Sequence, residues 1–212
     1  LIHDEVMSGG GRTGRFFAAE HWGAPPDILV VSKGFASGYA PLGAMVAHER
    51  IVEAVLDHGG FAHGYTYAGN PLACAAGLAV LGEIEREGMM ETAAGQGARL
   101  KARLEGLMER YPFIGDVRGL GLLLAVEFVA DRATMTPLDP RFNAYDRVVE
   151  LAYERGLILY ARRTRGGLAG DHVLVAPPMI VTDAHLDEIM EGLTGALDAF
   201  AAEAGLPVSE HA

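Results

Sequence analysis

The sequence has a single cysteine, Cys74, so it cannot carry an intrachain disulfide framework, which fits a reducing compartment. It is poor in lysine: Lys33 and Lys101 stand against fifteen arginines. No apolar run reaches the roughly 20 residues that a membrane-spanning helix needs, so no membrane partner is expected. Positive charge is not in excess either. A formal net charge of −11 and a pI near 5.1 argue against a polyanionic partner, and nucleic-acid binding is not expected. The eight histidines are scattered without an H-E-x-x-H pattern, so no metal site follows. No G-x-S-x-G elbow occurs, and Ser37 stands in the wrong frame for one. Repeats and low-complexity segments are missing. What is present is a globular composition, half hydrophobic and 21% charged over 212 residues, enough for one large domain or two small ones. A soluble, cytoplasmic protein is expected.

The scarcity of lysine makes one stretch conspicuous. Ile28 to Val31 form a run of four branched apolar residues between Pro25-Pro26 and Gly34, the pattern of a short strand buried on both faces. Lys33 stands at its end. An amine in apolar surroundings loses stabilisation of its charged form and becomes a nucleophile able to form a Schiff base. The alternative is that Lys33 simply reaches out of the strand end into water. Lys101, by contrast, lies among Arg99, Arg103 and Glu105 in what reads as an exposed helix.

The chain opens on Leu1-Ile2-His3, which reads as the end of a strand already under way, and we expect a C-terminal part of a longer polypeptide. Gly9, Gly11 and Gly14 formally satisfy G-x-G-x-x-G, but the residues from Arg15 to Trp22 are too few for the crossover helix of a dinucleotide site. Gly43 to Ala47 suit another short buried strand, and about Glu49 to Leu56 a helix closed by Gly59-Gly60. Asn70-Pro71 is a good helix start. The long helical region after it is interrupted near Gly88 and resumes to about Arg110, with Cys74 expected on a buried face. Strands are expected within Leu122 to Phe128, Leu157 to Tyr160 and His172 to Val175, with a helix over Asn143 to Arg155 and a last helix capped by Asp183. The expected division is 1–85, part of a larger α/β domain, and 86–212, a smaller α+β domain.

Asp4 is an acid at the end of an apolar strand, with Val6 on the same side if the chain stays extended. Burying such a charge unpaired is costly, and Arg12 or Arg15 could serve as a local partner. An acid and an amine at the ends of two strands of one sheet also match a site in the crevice beyond the strand carboxyl ends.

Leu1-Ile2-His3-Asp4-Glu5-Val6, Gly11-Arg12-Thr13-Gly14, Asp27-Ile28 and Ser32-Lys33-Gly34 together resemble the signature of the class III pyridoxal-phosphate aminotransferases, the group that includes the omega-aminotransferases. The likeness continues through Tyr39 to Ala44, His63 to Ala73, Val117 to Gly121 and Ala176 to Ile180. It implies fold type I: part of a large domain on a mostly parallel sheet, then a small C-terminal domain. It also implies roles. Lys33 would form the Schiff base with the cofactor aldehyde and move the substrate proton. Asp4 would bind the pyridine nitrogen and Val6 would pack on the ring. Thr66 would donate to the cofactor phosphate of a neighbouring subunit, which makes the active unit a homodimer or larger with shared sites. An arginine of the small domain would meet a substrate carboxylate; Arg162, Arg163 and Arg165 are candidates, with Arg163 preferred. Trp22 and Tyr39 could wall the substrate pocket. The expected activity moves an amino group from an amine or omega-amino acid to a pyruvate-like 2-oxo acid. The alternatives are an aminomutase, an ornithine-type aminotransferase, or a non-catalytic fragment that keeps the dimer surface.

Overall fold

The structure, a computed structural model, describes residues 1–209, with the side chain of Arg165 outside that description. The chain separates into two compact units, Leu1–Glu91 and Thr92 onward.

The first unit is built on a three-stranded sheet of β1 (Ile2–Asp4), β2 (Ile28–Val31) and β3 (Ala44–Ala47), in that order. β1 and β2 run parallel, with Asp4 opposite Val30, and β3 runs antiparallel to β2. The link from β1 to β2 holds one short 3-10 turn, Ala18–His21, which is no crossover helix and settles the glycine pattern at Gly9 to Gly14 as a loop. Helix α1 (Glu49–Asp57) follows β3, and α2 (Pro71–Arg86) starts where Asn70 Oδ1 accepts the Leu72 and Ala73 N–H groups. Gly88, at φ +58, separates α2 from α3 (Met89–Arg110).

Burial in this unit is more one-sided than the apolar runs suggest. Leu29 and Val31 of β2 are buried, but Met45 and Val46 of β3 are 55% and 58% exposed, which corrects the buried strand expected there. Helix α2 buries Ala73, Gly77 and Ile84 and leaves Leu72 and Leu78 more than 70% exposed. Cys74 is on that open side, contrary to expectation, because only the Ala73–Gly77–Ile84 stripe meets the rest of the unit.

The second unit is α+β. Strands β4 (Ile114–Leu120), β5 (Leu123–Asp131), the two-residue β6 (Thr136–Pro137), β7 (Tyr160–Thr164) and β8 (Ala169–Val175) form an antiparallel sheet ordered β4-β5-β8-β7, with β6 beside β5. Helices α4 (Ala144–Tyr153) and α5 (Asp183–Ala204) join the body of α3 around a core that includes Leu100, Leu104, Phe113, Val126, Phe128, Leu193 and Phe200. The single strand expected over Leu122 to Phe128 is one arm of the β4–β5 hairpin. The hairpin requires glycine just before its turn: at Gly119 of β4, φ +128, an added Cβ would lie 2.0 Å from the Leu123 carbonyl oxygen. The strand expected over Leu157 to Tyr160 instead begins at Tyr160, where pairing to Leu174 starts, so it carries Arg162 and Arg163. The residue before it, Leu159, is buried without being laddered, and apolarity alone could not separate the two states. The last helix is capped by Thr182, whose hydroxyl accepts the His185 N–H, rather than by Asp183.

Tyr111, fully buried at the end of α3, donates its hydroxyl to Asp198 Oδ1 at 2.7 Å, while Arg110 binds both Asp198 oxygens. Burial, reinforced by that carboxylate, pushes the Tyr111 hydroxyl well above the usual tyrosine range. In the unfolded chain it ionises near pH 10, so its contribution to stability is complete below about pH 10 and falls at higher pH by up to about 1.4 kcal/mol per unit. Tyr111→Phe is expected to flatten this alkaline loss in urea unfolding curves recorded between about pH 9 and pH 11.

Candidate active site

The parallel pairing of β1 and β2 decides where the two singled-out residues stand. Asp4 is the last residue of β1, and the Glu5 N–H extends the ladder by donating to the Val30 carbonyl at 2.9 Å. Lys33 follows β2 by two positions. Both therefore lie beyond the carboxyl ends of adjacent parallel strands, where open α/β sheets bind ligands. The Asp4 carboxylate is exposed, and its Oδ1 accepts the Val6 N–H at 3.1 Å, which fixes its direction; Val6 is half-buried.

Lys33 opens a 3-10 turn, Lys33–Ala36, at φ +44, a left-handed conformation that a non-glycine residue holds only under constraint. The constraints are visible. Ser32 Oγ donates to the Leu42 carbonyl at 2.8 Å, Phe35 N–H donates to the Ser32 carbonyl, and Ala36 is buried. Helix α2 supports the turn from behind at Gly77, where an added Cβ would come within 2.5 Å of Leu42 Cδ2 and 3.6 Å of the Phe35 carbonyl. The Lys33 side chain itself is exposed, so in these residues the apolar surroundings expected for it are not found. A recess of about 590 Å3 beside it is lined by Arg12, Ser32, Lys33, Ser37, Pro41 and Leu42 among others. Burial pushes the Arg12 guanidinium below its usual range.

Three other expected residues of this unit do not line the recess, although Tyr39 stands between Gly38 and Ala40, which do. Thr66 lies in the exposed stretch ahead of α2, and Trp22 and Tyr39 are 68% and 84% exposed; none of the three lines it. In the second unit, Arg163 is committed. Its Nε and one terminal nitrogen hold Asp171 at 2.6 and 2.9 Å, and its guanidinium lies 4.8 Å from the centre of the Tyr145 ring. Asp171 holds Arg163 in its charged form and raises it above its usual range. Arg162 points to the other side of β7, over Tyr160, and is exposed. Arg165 lies outside the described side chains. Asp171→Ala leaves the Arg163 charge without its fork partner and is expected to cost about 2–3 kcal/mol. Thermal unfolding measures it, and an unchanged Tm would show the pair to be dispensable.

Sequence reasoning passed over Glu5. It is 3% exposed, and its carboxylate accepts from Ser8 Oγ and from the Ala18 and Ala19 N–H groups. The signal was available: if Asp4 and Val6 share one side of the chain, the residue between them points to the other, into the protein.

A protein-family model described as Aminotransferase class-III matches residues 1–197. The chain belongs to the class-III aminotransferases. Family members use pyridoxal phosphate, and an amine and a carboxylate beyond two adjacent strand ends fit that group: the amine suits its aldehyde and the carboxylate its ring nitrogen. Similar proteins include the 5-aminovalerate aminotransferase of Pseudomonas putida, 43% identical over 188 residues that cover 89% of this chain and 41% of that one. The taurine–pyruvate aminotransferase of Bilophila wadsworthia is 36% identical over 212 residues, covering 97% and 46% respectively. Among solved structures, an (S)-enantioselective omega-transaminase from Thermomicrobium roseum superposes with a TM-score of 0.85 at 39% identity, covering 94% of this chain and 43% of that one. The chain thus spans less than half the length of each of these class-III relatives. The likeness in fold confirms the fold type I architecture expected from the sequence motifs, with the parallel β1–β2 pair in the first unit and an α+β second unit. Among the described residues, no helix is long and apolar enough to cross a membrane, and no cluster of histidine, cysteine and acidic side chains could hold a metal.

Proposed function

We propose that the protein carrying this chain is a pyridoxal-phosphate-dependent aminotransferase that moves an amino group from an amine or omega-amino acid to a 2-oxo acid such as pyruvate. The observation that carries the reading is the placement of Asp4 and Lys33 beyond the carboxyl ends of two hydrogen-bonded parallel strands. When bound, pyridoxal phosphate supplies a protonated ring that draws electrons from the substrate Cα. Lys33 Nζ holds the cofactor through its aldehyde carbon at rest. Displaced from that carbon by the incoming donor amine, the free Nζ would be the base that carries the substrate Cα proton. The Asp4 carboxylate keeps the proton on the ring nitrogen, and Val6 covers one face of the ring. The Thr66 hydroxyl donates to the cofactor phosphate in a second subunit's site, so the active unit is a homodimer or larger. Leu1–Glu91 belongs to the cofactor-binding domain and the residues from Thr92 to the small domain. Trp22 and Tyr39 wall the substrate side. Of the three candidate arginines, Arg163 is engaged by Asp171 while Arg162 is exposed, which favours Arg162 over Arg163 for meeting a substrate carboxylate and leaves Arg165 as the third candidate. The protein acts in the cytoplasm.

The relatives suggest the donors to try: 5-aminovalerate and taurine each carry a terminal amine and an acidic group. The full-length protein, given these donors with pyruvate, is expected to form alanine and to do so only when the oxo acid is present. Amino transfer within one substrate in the absence of any oxo acid would contradict the reading in favour of an aminomutase.

A further inference from the structure

We propose that Glu5 is a positioning residue for the cofactor site, the buried brace that sets Asp4 and Val6 against the turn of Lys33; the inference rests on the roles given to those residues above. Glu5 is tied down from every side. Its N–H donates to the Val30 carbonyl at 2.9 Å, and its carbonyl accepts the Gly9 N–H at 2.9 Å. Its carboxylate accepts from Ser8 Oγ at 2.5 Å, Ala18 N–H at 3.0 Å and Ala19 N–H at 2.8 Å. The side chain is only 3% exposed, and these three donors supply hydrogen bonds to both of its carboxylate oxygens.

The consequence reaches Lys33 through packing. The loop that Glu5 holds passes over Phe35, a residue of the Lys33 turn. At Gly9 an added Cβ would stand 2.8 Å from the Glu5 carbonyl oxygen and 3.4 Å from Phe35 Cε2, and at Gly10 one would stand 3.5 Å from the same ring. Phe16 and Phe17 close on Phe35 from the far end of the loop, at ring separations of 5.7 and 6.3 Å. Asp4 and Val6 flank Glu5 in sequence and Lys33 is two residues from Phe35. One buried carboxylate thus fixes the spacing between the group at the ring nitrogen and the group at the aldehyde. A shift of about 1 Å between such groups is enough to change rates by about a hundredfold.

Glu5→Gln in the full-length protein tests this, because the amide nitrogen turns an acceptor toward the loop N–H groups into a donor. Pyridoxal phosphate is expected to bind about tenfold more weakly. The pH at which the visible absorbance of the bound cofactor changes is expected to shift, and kcat to fall with the KM of the amine donor little changed. Ser8→Ala, which removes one donor only, is expected to shift the same quantities by less. Leu104→Ala, a fully buried site in the second unit, serves as a destabilised control whose Tm falls while cofactor affinity and absorbance midpoint stay at the wild-type values. If Glu5→Gln fails to fold, Ser8→Ala decides. Variants that melt lower yet bind the cofactor with unchanged affinity and midpoint would overturn the proposal and leave Glu5 a brace of the loop alone. A wild-type protein that takes up no cofactor would instead overturn the site reading on which the proposal rests.

Discussion

Lys33→Ala in the full-length protein is expected to lower the rate of amino transfer by about 10⁴-fold or more, while the Tm of the cofactor-free protein changes little. The two halves of this expectation have separate grounds. Proton transfer by a positioned side chain contributes up to about 10⁴ by itself, and losing the covalent hold on the cofactor adds to that loss. The other lysine of this chain, Lys101, lies on α3, where it pairs with Glu105 at 3.8 Å. The fold does not need the Lys33 side chain, which is exposed; the turn is held by Ser32, by the buried Ala36 and by the close approach of Gly77 on α2. A single-turnover assay with purified donor separates the two effects. A variant that kept more than about a tenth of the wild-type rate would remove Lys33 from the chemistry.

Asp4→Asn is the second large loss, expected at about 10²–10³-fold in kcat. The substitution is nearly isosteric, and the side-chain oxygen can still accept the Val6 N–H that orients Asp4. What is lost is the negative charge that keeps a proton on the ring nitrogen, so the change falls on kcat rather than on folding. An unaltered kcat together with a lowered Tm would reassign Asp4 to the structure of the strand end.

The residues that carry these two predictions were legible in the sequence for a simple reason. Each stands beside a local signal: Lys33 at the end of a branched apolar run, and Asp4 at the end of the short Leu1-Ile2-His3 strand. Pairing of those runs then brings the two to one edge of a sheet, which the register of β1 on β2 bears out. The helix starts at Asn70 and near Thr182 and the interruption at Gly88 were readable because capping and left-handed conformations select particular residues.

Burial was less legible. An apolar strand such as β3 and an alanine-rich helix such as α2 look alike in sequence whether one face or both are covered, and in these residues much of each is open. The commitment of Arg163 could not be read either. Whether a guanidinium meets a substrate or Asp171 depends on the pairing of β7 with β8, a long-range register that composition does not encode. Glu5 follows a strand of only three residues, so the inward turn implied by placing Asp4 and Val6 on one side had no longer run of alternation to reinforce it.

The most direct test of the central claim is chemical trapping of the cofactor. The full-length protein is incubated with pyridoxal phosphate, reduced with borohydride and digested, and the peptide carrying the added mass is located. The account predicts label concentrated on Lys33, with Lys101 unlabelled as an internal control. Label absent, or divided equally between Lys33 and Lys101, would contradict it.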